Sequence, residues 1–223
     1  MINLAHLNTS RRPLMKTDKD IIKVLNRLSD HYGPQYWWSN ENPISDWVTM
    51  ILIQQSTGVN VEKAMVKLDG YLTVEQLQSM DIEDLQERIR SAGFYKQKSA
   101  YIKNLINWFA GHGADFADFE EITTTDLRQE LLAIKGIGPE TADDILLYTF
   151  GRNVFIADQY AMRLFGRLGF GEYKSYKKMQ IDFTEAAEKV PLNLCREWHA
   201  VIDEHGKAFR KNKNLDESWL LAD

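Results

Sequence analysis

The chain has 223 residues, 44% apolar and 26% charged, enough to bury a real core in one domain or two small lobes. No apolar run reaches the length of a membrane span, and the start "MINLAHLNTSRRPLMKTDKD" lacks the basic and apolar regions of a signal peptide, so no leader is expected. The net charge of −5 argues against indiscriminate coating of nucleic acid, and the single cysteine, Cys195, permits no internal disulfide and excludes a four-cysteine iron–sulfur or zinc site.

In chain order, Ile21, Ile22, Leu25 and Leu28 recur at helical spacing. "HYGPQ" then signals a turn, and Trp37 and Trp38 follow in the polar stretch "YWWSNENP". Adjacent tryptophans on a regular element face different ways, so at least one points away from its own core. Asp46, Trp47, Met50, Ile51 and Ile53 suggest a largely buried helix. "SAGF" and "GHGAD" bracket another, carrying Leu105, Ile106 and Phe109. No period-2 strand, low-complexity linker or exact repeat occurs, and composition marks no clean domain boundary. The expectation is an all-α protein of roughly ten helices.

Leu127, Leu131, Leu132 and Ile134 form one apolar stripe, and Ala142, Ile145 and Leu146 the next. Between them Gly136 can take positive φ and end the first helix. Gly138 permits a second unusual angle or the close approach of another chain. Pro139 pre-sets φ at the start of the new helix, with Glu140 and Thr141 in its first turn. Such a turn exposes backbone N–H groups at a helix N-terminus, a site for an anion. On these residues alone, a helix–helix connection that needs glycine is the simpler explanation.

Asp158 precedes Ala161, Leu164, Phe165 and Leu168, which marks it as an N-cap worth about 1 kcal/mol. "HGKAFRKNK", from His205 to Lys213, is a candidate basic face whose plain reading is a solvated helix end.

"LLAIKGIGPETADDIL" closely resembles the helix-hairpin-helix of DNA glycosylases in the endonuclease III superfamily. "LIQQSTGVNVEKA", "SAGFYKQKSAYIKNL" and "NVFIADQYAMRLFGRLGF" extend the resemblance, in order, over most of residues 36–170. It implies two helical lobes with a DNA-binding cleft between them. Residues 36–152 would form the middle lobe with the hairpin, and 1–35 together with 153–223 the second lobe. The resemblance makes Asp158 the catalytic aspartate and Gln55 a wedge that fills the duplex when a base swings out. It sets Lys135, Gly136, Ile137, Gly138 and Thr141 against a DNA strand. It also implies a sodium or potassium ion on the carbonyls of Leu132, Ile134 and Ile137.

Two departures narrow this reading. Bifunctional relatives carry a lysine where Glu140 stands, and a glutamate forms no Schiff base, so a monofunctional enzyme is expected. The cluster-binding cysteines are missing, so no iron–sulfur cofactor is expected. Glu140, the pair Trp37-Trp38 and His205-Gly206-Lys207 resemble the cluster-free 3-methyladenine DNA glycosylase III branch. That implies a tryptophan platform for a cationic alkylated base, duplex DNA with a damaged base as partner, and a modified Lys207 if its amine is buried and neutral. The alternatives are an endonuclease III-like or mismatch glycosylase, and a non-catalytic DNA-binding module. A monomer in a bacterial-type cytoplasm, with no membrane partner, is expected.

Overall fold

The computed structural model describes residues 17–38 and 41–222. The first sixteen residues, part of the expected second lobe, lie outside the described residues. The described residues form eleven α-helices and no strand.

Local chemistry sets the helix ends. Helix α1 (Asp18–Tyr32) starts at Thr17, whose hydroxyl accepts from the Asp20 amide while the Asp20 carboxylate returns to Thr17. Its stripe of Ile21, Val24, Leu25 and Leu28 is buried. Asn42 caps α2 (Pro43–Ile53) by accepting from the Ile44 and Ser45 amides, with Pro43 at the first position. Then follow α3 (Gly58–Leu68), α4 (Val74–Ser79), α5 (Ile82–Arg88), α6 (Tyr95–Gly111) and α7 (Thr124–Ala133). Helix α8 (Pro139–Asp144) runs straight into a π turn, Ile145–Thr149. Helices α9 (Gln159–Arg167), α10 (Tyr176–Glu188) and α11 (Leu192–Lys211) complete the set.

Helix α1 packs on α10 and α11, and α9 on α11. Helices α2 to α6 pack among themselves, with Trp47, Phe109, Phe116, Phe119 and Phe150 meeting ring to ring. Helix α8 touches α2, α7 and α10, and its π turn touches α11. The hairpin's second helix therefore lies where the two sets of helices meet.

Two local expectations need correction. Ile53, at the end of α2, is exposed because the helix stops there and the chain turns outward. His205 is buried, not solvated: it bonds the Tyr32 hydroxyl at 2.9 Å and a Glu217 carboxylate oxygen at 2.8 Å.

Candidate active site

After α7, the Ile134 amide bonds Leu131 O at 3.1 Å and the Ile137 amide bonds Ile134 O at 3.0 Å. Gly136 has φ +108°, and a Cβ there would lie 2.1 Å from the Tyr101 ring. Both facts demand glycine. Gly138 differs from its expectation: its φ of −86° is ordinary, and a Cβ would meet nothing. No contact among the described residues explains that glycine. The hairpin forms one wall of a groove lined by Gln54, Gln55, Tyr101, Ile137, Gly138 and Glu140. Gln54 ties the groove together, donating to Thr141 Oγ1 at 3.2 Å and Gly136 O at 3.4 Å. Thr141 and Ile137 are largely buried in the groove wall. Lys135 is exposed.

Gln55 is exposed with φ +51° in the turn after α2. Phe94 is also exposed, with φ +47°, at the start of α6. Left-handed angles at non-glycine residues store strain and concentrate at functional sites. The two turns share one anchor. Buried Lys98 donates to Leu52 O at 2.7 Å and Ala92 O at 2.9 Å. Burial holds its amine below the ordinary lysine range.

A second pocket, about 230 Å³, lies beside the hairpin helix. Trp37 and Trp38 form part of its wall, with Met50 of α2, Asp144 and Tyr148 of the hairpin helix and its π turn, and His199 of α11. Neither tryptophan enters the core, because the turn with Tyr36 at φ +54° lets both reach one cavity. The Trp37 ring meets His199 edge to face at 5.8 Å, and the Lys207 ammonium lies 5.5 Å from its centroid.

Asp158 caps α9, accepting from the Ala161 amide at 2.7 Å. It is half-buried, and burial pushes its carboxyl up to about 7, with Glu140 and Asp203 adding to the shift against the Ala161 hydrogen bond. Glu140, in the first turn of α8, has its carboxyl raised by burial as well. Asp144 is held well above the carboxylate range, by burial first and then by Glu140, Asp158 and Asp143. Carboxyls from the hairpin helix and the α9 cap thus converge on one place.

Past Asp158, Gln159, Tyr160, Arg163, Arg167, Arg210 and Lys213 line a further groove of about 280 Å³. Arg167 is already held by Glu217, at 2.8 and 2.6 Å. Lys207 pairs with Asp203 and, at 2.9 Å, with Glu204. Those two carboxylates hold its amine above the usual lysine value despite the opposing burial, which favours the ammonium over the neutral amine that modification needs.

The structure thus gathers Gln55 with Gly136, Ile137, Gly138 and Thr141 at one groove, and Trp37 with Trp38 at the pocket beside it. Asp144, Tyr148, His199, Lys98 and Phe94 join these sites without a motif that marks them in the sequence. Asp144 stands four residues after Glu140, so helical period alone placed the two on one face. Nothing local marked the π turn.

A Gly-rich hairpin beside a capping aspartate and an aromatic pocket, on an all-α frame, defines a helix-hairpin-helix DNA glycosylase. The chain belongs to the HhH-GPD superfamily of base excision DNA repair proteins, whose family model matches residues 48–189. It is 37% identical to a protein of Methanocaldococcus jannaschii that carries the provisional name of a DNA repair glycosylase, over 87% of this chain and 90% of that one. It is 32% identical to an endonuclease III of Sulfolobus acidocaldarius, over 82% and 81% of the two chains. Among solved structures, the H. pylori 3-methyladenine DNA glycosylase MagIII bound to 1,N6-ethenoadenine superposes with a TM-score of 0.73 at 25% identity, over 90% of this chain and 100% of that one.

Proposed function

We propose that this glycosylase is monofunctional, excises alkylated purines of the 3-methyladenine type from duplex DNA, and leaves an abasic site. The observation that carries this reading is the Asp158 carboxyl, fixed by the Ala161 amide at 2.7 Å and set within reach of Glu140 of the hairpin helix and Asp203 of α11. As a base leaves, C1′ becomes oxocarbenium-like, and an ionised carboxylate beside it stabilises that charge and accepts a proton from the attacking water.

The rest of the surface suits the approach of DNA. The hairpin turn offers backbone N–H groups and an unobstructed Gly138 to a phosphate. Gln55 and Phe94 project from neighbouring strained turns to fill the space left by an extruded nucleotide. Arg163 and Lys213 give the strand a basic groove. Trp37 and Trp38 face the pocket, where a cationic base over an indole gains roughly 0.5–2 kcal/mol. The resemblance to MagIII supports the same substrate class.

At the hairpin turn, the Leu132 and Ile137 carbonyls accept no backbone hydrogen bond among the described residues, whereas Ile134 O already takes the Ile137 amide. Such oxygen donors fit a sodium or potassium ion, which would add positive charge at the phosphate site.

The endonuclease III relative supports a second reading, a glycosylase with lyase activity. Lyase chemistry of this kind needs a neutral amine. Glu140 offers none, and the Lys207 amine is held as an ammonium by Asp203 and Glu204. Incubation with duplex containing one 7-methylguanine, with borohydride present, separates the two. Free base with an intact strand and no covalent adduct is expected. A trapped enzyme–DNA adduct would establish the lyase reading instead.

A further inference from the structure

The tryptophan-walled pocket holds a carboxyl that an aromatic platform for cations does not need. Asp144 ends α8 and leads into the π turn, and its side chain is only 19% exposed while forming part of the pocket wall. Its Oδ1 is sealed from solvent and has no hydrogen-bond partner among the described residues. His199 Nδ1 stands 4.0 Å away and is taken by the Tyr148 hydroxyl at 2.7 Å. Native proteins seldom leave a buried polar atom unpaired, and a functional role is one standard reason.

Burial, Glu140, Asp158 and Asp143 disfavour a charge on Asp144, with Arg128 of α7 already paired to Asp143 at 2.7 Å. The helix and π turn of Asp144 present Glu140, Asp143 and Tyr148, the cap of α9 presents Asp158, α10 presents Tyr176, α11 presents His199, and α2 places Asp46 in the same pocket wall. His199 does not answer with a positive charge, since burial pushes it down to about 4, so the contact at 4.0 Å is not an ion pair at neutral pH. Carboxyls this crowded do not all ionise together.

We propose that Asp144 is the specificity-determining group of the base pocket: as a protonated carboxyl it hydrogen-bonds a ring nitrogen of an electrically neutral damaged purine and protonates it as the base departs. The proposal rests on the alkylpurine reading and extends its substrates from cationic methylated purines to neutral purine adducts. A cationic base is already a good leaving group, whereas a neutral one needs a proton. The O–H proton of Asp144 passes to the base nitrogen. The bond from C1′ to the base breaks, and its electron pair stays with the base, which leaves as a neutral free purine. Water adds to the oxocarbenium carbon and gives its proton to ionised Asp158. Asp158 then releases that proton to solvent, and Asp144 takes one up. The two carboxyls divide the work, one charged at the sugar and one neutral at the base.

The test uses the full chain and duplexes holding either one 1,N6-ethenoadenine or one 7-methylguanine, with single-turnover release measured from pH 5 to 9. For the wild type, release of ethenoadenine is expected to fall at alkaline pH as Asp144 loses its proton, while release of 7-methylguanine shows no such descending limb. Asp144→Asn is expected to slow ethenoadenine release on the order of 100-fold, and to slow 7-methylguanine release at least tenfold less. Equal slowing of both bases, or greater slowing of 7-methylguanine, would overturn the proposal, the second outcome making Asp144 a counter-ion for a cationic base. The wild-type pH profiles decide the matter if the variant does not fold, because identical profiles for the two bases also overturn it. Release of 7-methylguanine without ethenoadenine would sink this inference alone, whereas release of neither base would sink the alkylpurine reading beneath it.

Discussion

Glu197 holds the tryptophan loop through Gln35: its two carboxylate oxygens accept the Gln35 amide at 3.1 and 2.9 Å, and one also accepts the Tyr36 amide at 3.4 Å. Glu197 lies two residues before His199, so one turn of α11 sets both the loop and the opposite pocket wall. Removing a charged acceptor from these amides costs about 1–3 kcal/mol of local order. Glu197→Ala is expected to lower kcat/KM roughly tenfold, mainly through KM, and to make Trp37 and Trp38 more open to acrylamide quenching. Glu197→Gln, which keeps an acceptor, is expected to recover much of both. Unchanged quenching in Glu197→Ala would show that the loop stands without this contact.

The hairpin glycines separate folding from binding. At Gly136, φ +108° and a Tyr101 ring 2.1 Å from an added Cβ make alanine costly, by about 2 kcal/mol or more. Gly138→Ala meets no atom and keeps an allowed φ, so its stability is expected to stay within about 0.5–1 kcal/mol of wild type. Its affinity for duplex DNA is nevertheless expected to drop, since the added methyl stands between backbone amides and phosphate. Urea unfolding and a duplex-binding titration read the two effects. Full affinity in Gly138→Ala would remove the phosphate from this turn.

Asp158 trades stability for chemistry. Its carboxyl is pushed up to about 7 in the fold, above the unfolded value near 4. Between those two values the folded state binds the extra proton, so this group lowers stability as pH rises from about 4 to 7. Asparagine caps a helix as well as aspartate does and carries no charge. Asp158→Asn is therefore expected to be more stable than wild type at pH 8, by about 1–2 kcal/mol, with the gain absent at pH 4. Thermal melts at the two pH values check this. A variant less stable at pH 8 would mean that the buried charge is better compensated than its surroundings show.

Lys98 is expected to matter twice. Lys98→Met leaves the Leu52 and Ala92 carbonyls without their donor, a loss of about 2–4 kcal/mol. It also frees the turns of Gln55 and Phe94 from each other. Base extrusion, followed by fluorescence of 2-aminopurine beside the lesion, is expected to fall more than duplex affinity does. Equal losses would reduce Lys98 to a structural role.

The sequence shows most of this architecture because its helices are written in short-range chemistry. Asn42-Pro43, Thr17 with Asp20, and Asp158 before Ala161 are caps that local residues specify, and the apolar stripe of α1 follows the helical period. The hairpin is legible for the same reason, although Gly136 alone needs its positive φ. The base pocket is not local. It joins a turn at residues 37–38, a face of α2, a π turn and one side of α11, and no spacing in the chain reports that meeting. His205 reads as an exposed end residue until Tyr32 and Glu217 close around it from distant parts of the chain. Glu197 and Lys98 are ordinary charged residues on helices, and only the backbone groups they reach give them meaning.

The most direct measurement is single-turnover release of 7-methylguanine from duplex DNA by the wild type and by Asp158→Asn, at pH 8, with duplex binding measured in parallel. The expected result is wild-type release that leaves the strand intact, and a variant slowed on the order of 100-fold or more while still binding duplex. Release by Asp158→Asn at the wild-type rate would contradict the account, because the charge it places beside the sugar would then have no part in breaking the bond.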